Sequence, residues 1–125
     1  MTIHGYLAIL TYYKIWELRM DNKTKARYEA RAQIIKALAH PSRLFIVEEL
    51  SHGKRCVCEL TEMIGADAST VSKHLSILKN SGLVNDEKVG TSVYYELLTP
   101  CILNFFGCVE NVMKSNAERH LELIN

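Results

Sequence analysis

Four cysteines, Cys56, Cys58, Cys101 and Cys108, carry the most reactive chemistry in the sequence. The thiolate, rather than the thiol, binds soft ions and reacts with oxidants. Lys54 and Arg55 precede the Cys56-Val57-Cys58 run, and this run is expected to open a helix. Adjacent cations and the positive end of a helix both favour the thiolate. Cys101 falls in the expected first turn of the last helix and gains from the same effect. Side chains two apart in a regular helix diverge by about 200°. Cys56 and Cys58 therefore share a ligand only if Cys56 lies in the loop or a frayed first turn, with Gly53 just upstream as the break. Cys101 and Cys108 lie about 10.5 Å apart along a helix axis. Thiolates around one ion sit about 3.7 Å apart, given bonds near 2.3 Å. Those two share an ion only if the helix unwinds at Gly107. Three readings stay open: an ion site built on the cysteines, a disulfide or persulfide switch, and small core filler.

The elements that must position these thiols are mostly helical. Lys23 to Ala39 holds no Gly or Pro, and Tyr28, Ala32, Ile35 and Leu38 recur at helical spacing. His40-Pro41 breaks that helix and starts a second, with Leu44, Ile46, Val47 and Leu50 as its apolar positions and Gly53 as its left-handed cap. A third helix is expected from Val57 to Ile64. Gly65-Ala66-Asp67 then leads to a fourth from Ala68 to Asn80, with Asp67 as N-cap and Val71, Leu75 and Leu78 as the buried stripe. Two helices joined by a tight Gly-containing link make a helix-turn-helix. After Gly82 the period changes to two. Leu83-Val84 starts a strand, Gly90-Thr91 turns, and Val93, Tyr95 and Leu97 alternate on the return strand. Thr99 and Pro100 read as the N-cap and first residue of a last helix reaching about Leu123, with Ile102, Phe105, Phe106, Val109, Val112 and Met113 as a broad apolar face. The expected fold is mainly α with a small β-hairpin wing, a winged helix-turn-helix.

The fourth helix carries the residue types that enter a DNA groove. Ala68, Ser69, Thr70, Ser72, Lys73 and His74 are small, hydroxyl-bearing or donor side chains. They suit a helix that must fit a major groove about 12 Å wide while reaching base edges and phosphates. Lys88 and Thr91 stand at the expected wing tip. No C-x-x-C, Gly-rich phosphate loop, H-E-x-x-H or G-x-S-x-G occurs, so the reading is a binding protein and not an enzyme.

Several runs together resemble the ArsR/SmtB family of dimeric winged-helix repressors. They are Leu38-Ala39-His40-Pro41-Ser42-Arg43-Leu44, Cys56-Val57-Cys58-Glu59-Leu60, Val71-Ser72-Lys73-His74-Leu75 and Leu78-Lys79-Asn80-Ser81-Gly82-Leu83-Val84. The resemblance spans about Lys23 to Glu122. It implies a homodimer formed through the first and last helices that binds double-stranded operator DNA and lets go when a thiophilic signal binds. It also implies that Ser72, Lys73 and His74 face DNA while Leu75 faces the core. A Cys-Val-Cys start to this helix is similar to the family's arsenite and antimonite site, and to part of its cadmium and lead site. Arsenite takes three thiolates, so Cys101 or Cys108 is the expected third ligand beside Cys56 and Cys58. No cofactor is obligatory, and the ion acts as inducer. The family's zinc site on the last helix fits poorly, because only His120 matches and Leu123 stands where a ligand is needed.

Composition narrows the alternatives. At 125 residues and 48% hydrophobic content the chain is expected to fold as one domain, residues 20–125, and is too apolar for disorder. Residues 1–19 form an N-terminal extension with three open readings: an over-extended start, an extra dimer-packing helix or a membrane-surface segment. It lacks the features of a secretory leader and is too short in apolar residues to span a membrane, so a reducing, cytoplasmic setting is expected. The formal net charge is +1. Lys14 to Arg43 nonetheless carries eight basic residues against three acidic ones, whereas His52 to Leu97 carries five against six. Electrostatic help toward DNA must then come from the basic first helix and from doubling the surface in a dimer.

Overall fold

The computed structural model describes residues 5, 7–9, 11 and 21–125. Most of the 1–19 segment therefore lies outside the described residues, and so do the three readings of it. The chain falls into two units, Met1–Lys36 and Ala37–Asn125. Helix α1 (Asn22–Leu38) begins in the first, after Asp21, whose carboxylate accepts from the Thr24 N–H at 2.7 Å, and its last two residues, Ala37 and Leu38, belong to the second. That bond holds the Asp21 carboxyl below its ordinary value. The Arg31 guanidinium lies 5.1 Å from the centre of the Tyr28 ring, a cation–π contact.

The second unit contains α2 (Pro41–Leu50), β1 (Arg55–Cys56), α3 (Val57–Ile64), α4 (Ala68–Asn80), β2 (Val84–Val89), β3 (Ser92–Leu97) and α5 (Ile102–Ile124). Pro41 sits in the first turn of α2, where its missing N–H costs nothing, and His40 caps the helix by accepting from the Ser42 N–H at 3.0 Å. The helix ends with Ser51 in right-handed conformation, and Gly53 has φ +144°, so Gly53 is a loop residue and not the left-handed cap expected. Gly65 does play that part for α3, at φ +74° with its N–H bonded to Thr61 O.

The strands form one antiparallel sheet in the order β1-β3-β2. The hairpin runs in register from Val84↔Leu97 to Val89↔Ser92, closed by a two-residue turn in which Gly90 takes the required positive φ. The two-residue strand β1 pairs with β3 through Arg55↔Tyr95 and Cys56↔Tyr94. It was not foreseen, and it ties the start of the thiol motif to the wing.

One core holds these elements. Leu38, Ile46, Val47, Leu50, Leu60, Val71, Leu75, Leu78, Leu83 and Val84 are buried, with Tyr95 closing it from β3. Leu44, one of the four apolar positions read for α2, is exposed, because Ile46, Val47 and Leu50 form the buried side of the helix. Helix α5 also starts later than expected. Residues 99–104 make i→i+3 bonds, Ile102 N–H to Thr99 O and Leu103 N–H to Pro100 O among them. Cys101 is thereby the N-cap, and the Thr99 hydroxyl is buried without a partner instead of capping.

Candidate nucleic-acid interface and thiol pair

Helix α4 is set by its cap and its stripe. Asp67 takes an extended conformation and its Oδ1 accepts from the Thr70 N–H at 2.8 Å and the Ser69 hydroxyl at 3.2 Å. The Thr70 and Ser69 hydrogen bonds hold the Asp67 carboxyl below its ordinary range. Val71, Leu75 and Leu78 are fully buried, which fixes the rotation of the helix and leaves Ala68, Ser69, Thr70, Ser72 and Lys73 exposed on the other side. At the far end Lys79 Nζ meets Asp86 Oδ1 at 2.8 Å, linking α4 to β2. Lys88 and Thr91 are exposed at the hairpin tip.

His74, expected toward DNA, is less open than its neighbours Ser72 and Lys73. It is half-buried, with its ring centre 4.3 Å from that of His40 and its Nδ1 3.1 Å from Arg43 Nη1. A guanidinium only donates, so Nδ1 accepts and the imidazole is neutral. Burial first, then the His40 and Arg43 charges, hold the His74 pKa below its ordinary value. Arg43 also donates from Nε to Ala37 O at 2.6 Å, so one side chain bridges Ala37 to α4. Spacing carried the signal: His74 is three residues after Val71 and four before Leu78, on their side of the helix.

The thiol motif is built by the β1–α3 junction. Cys56 is the last residue of β1 and the N-cap of α3, at φ −77° and ψ 158°. It completes a capping box: its Sγ accepts from the Glu59 N–H at 3.2 Å, and Glu59 Oε1 accepts from the Cys56 N–H at 3.3 Å. Because Cys56 is outside the helix, its side chain does not diverge from that of Cys58. The two are joined as a disulfide, with Cα atoms 5.3 Å apart. Cys56 is buried at 4% exposure, whereas Cys58 faces solvent.

The electrostatics of the pair differ from expectation. Lys54 is paired with Glu87 at 3.5 Å and Glu96 at 3.8 Å, and Arg55 with Glu59 at 3.4 Å and Glu49 at 4.0 Å. The cations expected to favour the thiolates are already matched by carboxylates. What remains for the thiols is the helix N-terminus. Three of these pairs were invisible in the sequence because their carboxylates come from α2, β2 and β3.

Cys101, at the N-cap of α5, and Cys108, within that helix, are both exposed. Among the described residues no three His, Cys, Asp or Glu side chains gather as an ion site, so one chain brings Cys56 and Cys58 together but adds neither Cys101 nor Cys108. His120 is exposed and joins no such cluster. A groove of about 680 Å³ opens beside the pair. Cys56, Cys58 and Thr61 form one side, Ala68 and Ser72 another, and Thr91 and Val93 of the hairpin a third. No helix among the described residues is long and apolar enough to cross a membrane.

Comparison with known proteins agrees with this architecture. The family profile described as "Bacterial regulatory protein, arsR family" matches residues 40–86, from the cap of α2 into β2. An uncharacterized HTH-type transcriptional regulator of Methanocaldococcus jannaschii is 38% identical over 87 residues, covering 69% of this chain and 98% of that protein. The arsenical resistance operon repressor of Bacillus subtilis is 42% identical over 79 residues, covering 62% and 75%. The solution structure of a homodimeric winged helix-turn-helix DNA-binding domain from Mycobacterium bovis, a possible ArsR-family regulator, superposes with a TM-score of 0.67 at 30% identity, covering 82% and 94%. A capped reading helix, a hairpin wing and these relatives lead to one conclusion: the chain belongs to the ArsR/SmtB family of winged-helix, DNA-binding transcriptional regulators, which are not enzymes.

Proposed function

We propose that this regulator is a cytoplasmic homodimeric repressor whose hold on operator DNA is released by a trivalent metalloid, arsenite or antimonite, at Cys56 and Cys58. One observation carries the reading: the N-cap position of Cys56 places both sulfurs at one point beside the groove lined by Ala68 and Ser72 of α4. Two soft sulfur donors at one point suit a thiophilic ion and disfavour magnesium or calcium. The arsenical resistance repressor of B. subtilis, at 42% identity, supports the metalloid. The third position on the metalloid falls to a solvent hydroxide or to a cysteine of a second copy, since Cys101 and Cys108 do not join the pair within one chain.

On the DNA side, Ser72, Lys73, Lys88 and Thr91 are the exposed side chains for bases and phosphates, and the first turn of α4 offers backbone N–H groups to a phosphate. His74 serves by orienting α4. Pairing of two copies is supported by α5, none of whose residues is buried, and by the groove of about 590 Å³ that Leu44 and Phe45 form with Phe105, Val109 and Met113. A contiguous apolar face of that kind is the mark of an interface.

A second reading has its own observation. Cys56 and Cys58 form a disulfide, so the same pair serves as a dithiol–disulfide switch answering peroxide or polysulfide. Operator release by the reduced protein, followed by gel shift, separates the two. Release by arsenite and not by polysulfide is the expected result. Release by peroxide or polysulfide, reversed by dithiothreitol and without any arsenite response, would replace the first reading with the second.

A further inference from the structure

The groove beside the thiol pair is bounded by the residues that face DNA. Ala68 and Ser72 belong to the exposed side of α4, and Thr91 belongs to the hairpin tip. A DNA backbone that touches both the first turn of α4 and the wing passes over the space between them, and Cys58 opens into that space. From this juxtaposition we infer that operator DNA and any group carried on the Cys58 sulfur compete for one groove, so that the signal displaces the sugar-phosphate backbone by occupying its place.

The inference rests on the proposed DNA-binding face and adds how the signal acts there. Three features support it. Cys56 is buried while Cys58 is exposed, so an adduct on Cys58 projects outward into the groove. The hydroxyls of Ser72, Thr91 and Ser92 line the groove and are suited to phosphate oxygens. Glu62 is the one charged side chain in the lining, and it directs the backbone toward the α4 and hairpin walls and away from α3. Competition for one space also makes the effect reciprocal: what lowers DNA affinity on Cys58 must be excluded by bound DNA to the same degree.

Two arms test this, with an operator duplex selected by the reduced full-length protein from random-sequence DNA. In the first, iodoacetamide alkylation is followed cysteine by cysteine by mass spectrometry, with and without saturating duplex. Alkylation of Cys58 is expected to slow by at least about tenfold on DNA binding, while the rates at Cys101 and Cys108 stay as they were. An unchanged Cys58 rate with duplex still bound overturns the inference and leaves the repressor reading intact. In the second arm, Cys58 is the sole thiol of a Cys56→Ser, Cys101→Ser, Cys108→Ser protein. Exchange with glutathione disulfide joins one glutathione to the Cys58 sulfur and releases the other as its thiol. Without a partner sulfur nothing bridges the junction, yet operator affinity is expected to fall by at least about tenfold relative to the same protein before exchange. Equal affinity before and after overturns the inference. If no duplex is enriched at all, the DNA-binding reading fails and this one fails with it.

Discussion

Helices α4 and α5 both carry apolar stripes, but only that of α4 is fully covered within the chain, since α5 rests only Ile102, Leu103 and Phe106 against the core. Val71, Leu75 and Leu78 of α4 are fully buried, whereas α5 buries no residue and leaves Val112 and Met113 at 58% and 56% exposure. The difference separates two jobs. Helix α4 is oriented once and for all by its own domain, so that its other face is presented in one rotation. In the proposed dimer, helix α5 keeps its apolar side for a second copy and so sets the spacing between the two α4 helices.

The sharpest way to break that contrast is to truncate each stripe. Leu75→Ala should cost about 2–5 kcal/mol of unfolding free energy in a denaturant melt, because a fully buried leucine leaves a cavity. A loss under about 0.5 kcal/mol, the usual size for a surface change, would show that α4 is not anchored there. Val109→Glu on α5 should leave the monomer folded by circular dichroism. It should dissociate the dimer in sedimentation and weaken operator binding by about 100-fold through lost bivalency. A charged α5 that still sediments as a dimer would move the interface elsewhere. Asp67→Ala should cost about 1 kcal/mol of stability by removing the cap of α4.

Smaller effects probe the orientation of α4 itself. His74 is neutral in the fold with its pKa held below the ordinary value, so the unfolded chain binds the extra proton first as pH falls. Stability should therefore be full above the ordinary histidine range, near about pH 6.5, and decline as pH drops below it. His74→Gln should flatten that part of the profile, and an unchanged slope would remove His74 from the account. Glu62→Gln should tighten operator binding by about 2–5-fold, since it takes one negative charge from beside the phosphates. A weaker complex would place Glu62 among the contacts instead.

Much of the fold was legible because its signals are local. Asp67 before a hydrophobic stripe, Pro41 after His40, and Gly90-Thr91 between alternating runs each fix an element within a few residues. The less legible parts depend on distant segments. Strand β1 is only Arg55 and Cys56, and it exists because Tyr94 and Tyr95 of β3 lie alongside. The same distance hid the carboxylates that neutralise Lys54 and Arg55. For the thiol motif, the sequence required Cys56 to lie outside the helix, and the N-cap satisfies that requirement. It also suggested a third cysteine at the pair, which one chain does not bring there. The half-burial of His74 was legible in its spacing, since Val71 and Leu78 flank it at helical intervals.

The central claim is that chemistry at Cys56 and Cys58 loosens a DNA grip formed next to them. Its most direct test is an arsenite titration of the reduced protein on fluorescent operator, read by anisotropy for wild type, Cys56→Ser and Cys58→Ser. Each protein's own unreacted complex is its reference. The account predicts that wild type releases DNA as arsenite approaches stoichiometry, while both variants hold it at arsenite concentrations at least about tenfold higher. Release of all three proteins at the same arsenite concentration would contradict it.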